Sequence, residues 1–202
     1  TAKANGSSIV NNGGYVSDVI EFVILEENLD RVTLDGAVVE SFSFNATDLT
    51  ETQHTFIAYD KAQNSSMFVF YIDRTAPSFS LRDFYSAKDV ILLSIVEKNL
   101  DYVTLDGAVT NKNSWQGADL PDGVHTIIAY DKAQNYCKQT FTVDTNLPII
   151  SGTVNGMAFS NGCYLSANTQ IEFDVIEDNL VNVTLNGIVI DDLLFLTDEL
   201  EE

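Results

Sequence analysis

The chain has 202 residues, of which 30 are acidic and 10 are basic, so its formal net charge at pH 7 is −20. Nucleic acid and anionic membrane surfaces repel such a polyanion, and we expect no nucleic-acid partner. Apolar residues make up 45% and charged residues 20%, which predicts folded globular domains rather than disorder. No apolar run approaches the roughly 20 residues that span a bilayer, so membrane insertion is not expected.

Residues 1–18 are rich in Asn, Gly and Ser, which predicts a loosely held leader and a first edge strand. Residues 19–25 then mix alternation with continuous apolar character, as a half-buried strand does. The clearest local signal follows, because Asp35-Gly36 between two β-branched runs predicts a two-residue hairpin of type I′. The same hairpin is predicted at Asp106-Gly107 and at Asn186-Gly187.

A variable polar stretch follows each of the first two hairpins, at residues 41–53 and 110–123. The chain then enters a strand at 54–59 or 125–130, turns, and returns along 67–73 or 138–144. About seven short strands per unit, with no competing helical periodicity, predict an all-β fold of antiparallel β-sandwiches.

The heptapeptide AYDKAQN occurs at residues 58–64 and again at 129–135, a shift of 71 residues since 129 minus 58 is 71. The same shift superimposes VTLDGAV at 32–38 on 103–109 and the residues Asp73 and Pro77 on Asp144 and Pro148. A third copy starts after Pro148 and includes EDNLVNVTLNG, but it contains no AYDKAQN. Shared landmarks in one register indicate duplicated modules.

This register predicts three domains: module one at residues 1–76, module two at 77–148 and module three at 149–202. Module three lacks the last two strands of the other two modules. Without them it should expose an apolar sheet face and an unpaired strand edge.

The combination of ENL, VTLDG, HTIIAYDKAQN and a closing VDT-x-x-P resembles the tandem bacterial immunoglobulin-like (Big-type) domains of cell-surface and adhesin proteins. The family turn usually reads D-K-A-G-N, whereas Gln63 and Gln134 replace that glycine here. The resemblance implies tandem immunoglobulin-like sandwiches in a longer extracellular protein, serving as a stalk or adhesion array on the cell surface or as part of a secreted protein. Its implied partners are neighbouring domains and an extracellular protein or glycan.

An enzymatic function is not expected, because the residues lack the usual constellations. His54 and His125 occupy one repeat position, so a duplicated structural role explains them better than catalysis does. No phosphate-binding glycine loop, serine elbow or Cys/His metal pattern is present.

Repeated acidic and amide residues are the one candidate site. In an immunoglobulin-type sandwich the last strand ends opposite the turns that precede it, so the end of one module should meet the turns of the next. Oxygen ligands converging there could bind Ca²⁺, although Asn and Asp also form such turns by themselves and Lys98 and Lys132 would oppose a cation. The predicted ligands are Asp73, Glu97, Asn99, Asp101, Asp131, Asp144, Glu177 and Asn179.

An alternative function is an accessory or carbohydrate-binding region of a secreted polysaccharide-degrading enzyme. Trp115 and Tyr102 could line a sugar-binding surface, yet a lone Trp in such a module is more often part of the core. Cys137 and Cys163 should lie too far apart for a disulfide, and we expect free, mostly buried thiols.

Overall fold

A computed structural model describes residues 1–4 and 6–197, and it is all-β apart from two single-turn 3-10 helices. The chain divides into two compact units, Thr1–Thr145 and Asn146–Glu202. The first unit contains modules one and two, each with its own sheets and its own hydrophobic core. The domain boundaries at 76 and 148 stay predictions. No helix within the described residues has the length and hydrophobicity to cross a membrane.

Module one contains nine described strands in two sheets, of order β2-β1-β4-β7 and β3-β9-β8-β5-β6. The strands are β1 (Ala2–Ala4), β2 (Ser7–Ile9), β3 (Gly14–Val16), β4 (Val19–Phe22), β5 (Leu29–Leu34), β6 (Ala37–Val39), β7 (Ser43–Asn45), β8 (Gln53–Asp60) and β9 (Ser65–Ile72), with a 3-10 helix at Ala46–Asp48. The predicted loosely held leader is wrong, since β1 pairs with both β2 and β4 and its Ala2 is 1% exposed.

The core of module one lies between its two sheets. Phe22 of β4 stacks on Phe56 of β8 with ring centroids 3.9 Å apart, and Phe70 of β9 meets Phe22 edge to face. Ile20 and Phe70 are fully buried. Each such side chain stabilises the fold by about 1.5 to 3 kcal/mol relative to an exposed position.

Module two repeats this arrangement with seven described strands in sheets of order β10-β16-β15-β12-β13 and β11-β14. The strands are β10 (Phe84–Tyr85), β11 (Val90–Leu92), β12 (Leu100–Leu105), β13 (Ala108–Thr110), β14 (Ser114–Gln116), β15 (Gly123–Asp131) and β16 (Tyr136–Val143), with a 3-10 helix at Gly117–Asp119. The pairing of β12 with β15 shifts register after Leu100, and β5 with β8 does so after the equivalent Leu29.

The predicted hairpins are confirmed. Asp35 and Asp106 have φ of 51°, and the glycines that follow have φ of 86° and 82°. Both turn residues therefore adopt the positive φ that a type I′ turn requires, where glycine is favoured and Asp is tolerated. Asn186 repeats the conformation in module three with φ of 49°.

The variable polar stretches are more structured than predicted. Each contains a short strand, a 3-10 turn and one core aromatic, Phe44 in module one and Trp115 in module two. Trp115 is 7% exposed, which agrees with the core interpretation. A side chain at Gly117 would place its Cβ 2.0 Å from the Ser86 carbonyl oxygen, so only glycine fits this turn.

Module three has six described strands in sheets of order β18-β17-β19-β22 and β20-β21. The strands are β17 (Ile149–Val154), β18 (Met157–Ala158), β19 (Gln170–Ile176), β20 (Val183–Leu185), β21 (Ile188–Ile190) and β22 (Leu194–Leu196). Ile188 and Val189 are 70% and 59% exposed, but Val109 at the same hairpin position of module two is 67% exposed as well, so the predicted apolar sheet face stays a prediction. Residues 198–202, the end of the predicted module, lie outside the described residues.

The two cysteines are free, as predicted. The expectation of mostly buried thiols is wrong for Cys163, which is exposed, whereas Cys137 is half-buried. The reason is local, because Cys163 lies in an exposed stretch between β18 and β19 rather than on a core-facing strand.

Truncation of the core beside the hairpin gives a test of the strand faces. Leu34 is 9% exposed and contacts the core of module one, so we expect Leu34→Ala to lower the free energy of unfolding by about 2 to 5 kcal/mol. The matched Leu105→Ala should cost less, because Leu105 is only partly buried. Urea denaturation measures both, and a wild-type midpoint for Leu34→Ala would contradict the assigned face.

Candidate functional site

Two loops of module two form one end face. The Glu97 carboxylate accepts a hydrogen bond from the Asn99 backbone N–H (2.7 Å), which closes the first loop. The Asp131 carboxylate accepts from the Asn135 backbone N–H and from its side-chain amide, both at 2.8 Å, which closes the second. The Lys132 N–H donates to the Asn99 carbonyl (2.9 Å) and holds the loops together. The turn-forming role of these repeated residues is therefore confirmed.

Gln134 lies in the second loop, at the position where a glycine was expected from the sequence resemblance. Its φ is 66°, and Gln63 has the same φ in module one. The Gln134 side-chain amide donates to the Asp131 carbonyl (3.3 Å) and to the Asp101 carboxylate (3.4 Å). The left-handed conformation survives without glycine because surrounding contacts hold it, at a typical cost of about 1 to 2 kcal/mol.

The end of module one bonds directly to this face. The Asn99 side-chain amide donates to the Asp73 carboxylate (3.0 Å), and the Asn135 side-chain amide donates to the Asp73 carbonyl (2.9 Å). Two further donors come from residues just before β4: the Tyr15 hydroxyl donates to Asn99 Oδ1 (3.0 Å) and the Ser17 hydroxyl to the Ala133 carbonyl (2.9 Å). We call these groups the junction.

The junction excludes water from charged groups. Asp131 is fully buried and Asp73 is 8% exposed. Burial raises the pKa of Asp131 above its ordinary value of 3.8, and the nearby charge of Asp73 raises it further, against the hydrogen bonds from Asn135 that lower it. The buried carboxylates are tolerated because Asn99 and Asn135 donate to them.

The equivalent carboxylate of module one behaves in the opposite way. Asp60 accepts the same two bonds from Asn64, both at 2.8 Å, but it lies outside the junction. The hydrogen bond from the Asn64 side chain lowers the pKa of Asp60 below its ordinary value, and burial opposes this only in part. The same Asp–Asn motif thus has a raised carboxyl pKa where a neighbouring module covers it and a lowered carboxyl pKa where no module covers it.

Of the predicted calcium ligands, the structure brings together Asp73, Asn99 and Asp131. Glu97 and Asp101 bond within their own module, to the Asn99 N–H and to the Gln134 side chain. No group of three or more His, Cys, Asp or Glu residues suited to a metal is found among residues 1–4 and 6–197. The calcium site stays a prediction.

The remaining predicted ligands divide between the two compact units. Asp144 belongs to the first unit, where its backbone N–H donates to the Tyr85 carbonyl (2.9 Å). Glu177 and Asn179 belong to the second, where Glu177 accepts from the Asn179 N–H (3.0 Å) and so repeats the first-loop bond of module two. A metal site shared by these residues stays a prediction as well.

Sequence reasoning missed Asn135, Tyr15 and Ser17. Asn135 carried a usable signal, because it ends the repeated heptapeptide in both copies. Tyr15 and Ser17 carried none, since the shift of 71 positions places them on the unlike residues Ser86 and Lys88.

The duplicated histidines brace the hairpins. In module two, His125 Nδ1 lies 2.7 Å from the Asp106 carboxylate and Nε2 lies 2.8 Å from the Pro121 carbonyl oxygen. His54 makes the equivalent contacts with Asp35 (2.6 Å) and Thr50 (2.8 Å). Both ring nitrogens of each His face acceptors, so both donate only when the ring is protonated. The predicted structural role of the histidines fits these contacts.

No protein-family model and no curated protein matches this chain. Among solved structures, one similar chain is the surface glycan-binding protein SGBP-B of the Bacteroides ovatus mixed-linkage glucan utilization locus, in complex with a mixed-linkage heptasaccharide. The match covers 96% of this chain and 67% of that one, at 10% identity and a TM-score of 0.23. A TM-score this low establishes neither a shared fold nor a shared ligand.

Asn135→Ala should weaken the junction more than its counterpart weakens module one. It leaves the buried Asp131 carboxylate and the Asp73 carbonyl without their amide donor, which typically costs about 1 to 3 kcal/mol. The control Asn64→Ala removes only the side-chain amide bond to the partly exposed Asp60 and should cost less. Chemical denaturation of both variants checks this, and equal losses would show that the contact between modules adds nothing.

The His125–Asp106 pair should make stability depend on pH. Burial lowers the pKa of His125, but its bonds to Asp106 and Pro121 outweigh burial and raise the pKa above 6.5. Burial likewise raises the pKa of Asp106, but the His125 and Thr126 bonds outweigh it and lower the pKa below 3.8. The pair therefore stabilises fully between pH about 3.8 and 6.5 and loses this contribution as pH rises through the folded pKa of His125.

The measurement is the free energy of unfolding at pH 5.5 and at pH 8.5, for wild type and for His125→Gln. We expect the fall in stability between the two pH values to be smaller in the variant. An identical fall in both proteins would mean that His125 does not carry the effect.

Proposed function

We propose that the chain is a non-catalytic tandem array of immunoglobulin-like β-sandwich modules, acting as an extracellular stalk or adhesion spacer in a larger surface protein. The observation that carries the proposal is the junction, in which module one ends against the loop face of module two through four direct hydrogen bonds. A spacer must hold neighbouring modules in a defined relative orientation. Direct hydrogen bonds between the modules restrict that orientation more than a flexible linker does.

The energetics of bending support the same function. Opening the junction would expose Ala133 and Asp131, which are 7% and 0% exposed, and would break the two amide bonds to Asp73. Each net hydrogen bond contributes about 0.5 to 1.5 kcal/mol, so the bent states are disfavoured without any metal. The repeat supplies the modules, and the junction supplies their fixed orientation.

Calcium at the junction is part of the proposal. The Asp73 and Asp131 carboxylates repel each other there, and a divalent cation would relieve that repulsion with oxygen ligands that include Asn99 Oδ1. Lys132 acts against it, because its ammonium group lies 5.5 Å from the Tyr15 ring centroid at the same junction. Bound Ca²⁺ would raise the melting temperature by mass action.

The test measures whether modules one and two move as one body. In the full chain, residual dipolar couplings should fit a single alignment tensor for both modules. The double variant Asn99→Ala/Asn135→Ala should need two tensors, whereas the matched control Asn28→Ala/Asn64→Ala should behave as wild type does. Independent tensors in the wild-type chain would overturn the spacer function. Repeating the wild-type melt in millimolar Ca²⁺ and in chelator tests the metal, and equal melting temperatures would remove calcium from the proposal.

Glycan binding is the second candidate, and a row of tyrosines favours it. Tyr102, Tyr130 and Tyr136 lie side by side across β12, β15 and β16, with ring centroids 4.6 and 5.7 Å apart. Tyr136 is 58% exposed and offers a ring face on which a sugar could stack, whereas Trp115 is 7% exposed and offers none. A glycan array probed with wild type and Tyr136→Ala separates the two functions. A glycan that wild type binds and the variant does not bind supports the glycan-binding function. If neither protein binds any glycan, only the spacer function remains.

A further inference from the structure

The loop end of module one carries the same face as the loop end of module two that module one covers. Every loop residue that forms the junction face recurs 71 positions earlier, with matching internal geometry. Asn28 N–H donates to Glu26 (2.8 Å), Lys61 N–H donates to the Asn28 carbonyl (2.9 Å), and the Gln63 side chain lies 3.4 Å from the Asp30 carboxylate. The equivalent contacts in module two measure 2.7, 2.9 and 3.4 Å. The face is therefore prebuilt and does not need the neighbour to form.

Exposure separates the two copies. Asn28, Ala62 and Asn64 are exposed, while their counterparts Asn99 and Asn135 are half-buried and Ala133 is buried. The difference comes from coverage, since the residues that form the loop bonds are identical in the two copies and their bond lengths match, although Glu27 replaces Lys98 in the first loop. Asn28, Asn64 and the Ala62 carbonyl of module one are thus the counterparts of the groups that bind Asp73, Tyr15 and Ser17 in the junction.

A groove lined by both apolar and polar residues adjoins this face, the polar ones including Glu26, Asp60 and Ser66. Its volume is about 540 Å³, and its lining includes Phe22, Val23, Leu25, Phe56, Met67 and Phe68. Leu25 is 93% exposed, Met67 is 55% exposed and Val23 is 46% exposed.

In module two the equivalent groove is filled by the linker that leaves module one. Ser78 exchanges two backbone hydrogen bonds with Val96, at 3.2 and 2.8 Å, and Val96 is the counterpart of Leu25. Phe79 follows and is 9% exposed within the core of module two. Its carbonyl accepts a bond from the side chain of Gln139 (2.8 Å), the counterpart of Phe68. In module one, Thr1 exchanges backbone hydrogen bonds with Val23 (3.2 and 2.9 Å). The repeat register therefore places the position before Thr1 that corresponds to Ser78 opposite Leu25.

We infer that this end of module one is a docking surface for the carboxyl-terminal end and following linker of another module of the same kind. The partner's last strand would end at an Asp, whose carboxylate and carbonyl accept from Asn28 and Asn64. Its next residues would run as an extended strand that pairs with Leu25 and places an aromatic or aliphatic side chain in the groove. The inference rests on the proposed array and specifies which surface extends it.

The experiment adds a second copy of residues 1–79 directly before Thr1 of the full chain. This fusion sets the register, because the added Phe79 then precedes Thr1 and the added Ser78 stands opposite Leu25, as the resident Ser78 stands opposite Val96. We expect amide hydrogen exchange at Leu25 to slow by about tenfold or more, since its N–H gains a strand partner. The added module and resident module one should share one alignment tensor.

Two variants act as controls on the fusion. Asn28→Ala/Asn64→Ala in the receiving module should loosen the new junction and leave the resident junction unchanged. Phe79→Ser in the added copy should restore fast exchange at Leu25. A rigid resident junction beside a freely moving added module, with Leu25 unprotected, would overturn the docking inference alone. Free movement at both junctions would overturn the array as well.

Discussion

The side-chain amide of Asn135 is the group on which the junction depends. One of its hydrogens bonds the Asp131 carboxylate, which shapes the turn, and the other bonds the Asp73 carbonyl, which belongs to the preceding module. A single NH₂ group therefore joins a local loop to a contact between modules. Asp131 has no exposed surface, and an isolated buried carboxylate would cost several kcal/mol, so the closeness of the modules depends on these amide donors.

The same chemistry explains why the repeated motif tolerates two surroundings. In the loop face of module one, the hydrogen bond from Asn64 lowers the pKa of Asp60. In the loop face of module two, burial dominates and raises the pKa of Asp131. The hydrogen bonds are of equal length in both places. Because its internal bonds do not change on burial, the Asp–Asn loop can lie at an uncovered end of a module or at a contact between two modules without changing its conformation.

Local signals predicted much of the fold. The Asp-Gly hairpins and the strands around AYDKAQN follow from turn chemistry and short-range patterning, and the structure has both. The meeting of Asp73 with Asn99 and Asp131 followed from topology alone. The N-terminal stretch was misjudged because its many Asn and Gly residues conceal β1, a strand that pairs with β2 and β4 and whose Ala2 packs in the core. Phe44 and Trp115 were hidden in polar stretches, although the shift of 71 positions that relates them was available.

The aromatic stack of module one has a consequence for how the chain folds. Neighbouring modules that share VTLDGAV and AYDKAQN could exchange strands while folding, which is a known failure of tandem repeats. Phe22 and Phe56 fill the core of module one, but their counterparts in module two are Leu93 and Ile127. A swapped strand would bring one phenylalanine into a space shaped for Leu93 and Ile127, or would leave a cavity in module one, where two phenylalanines are needed. Differences in core volume thus distinguish each module's own strands from its neighbour's, even where the surface turns are identical.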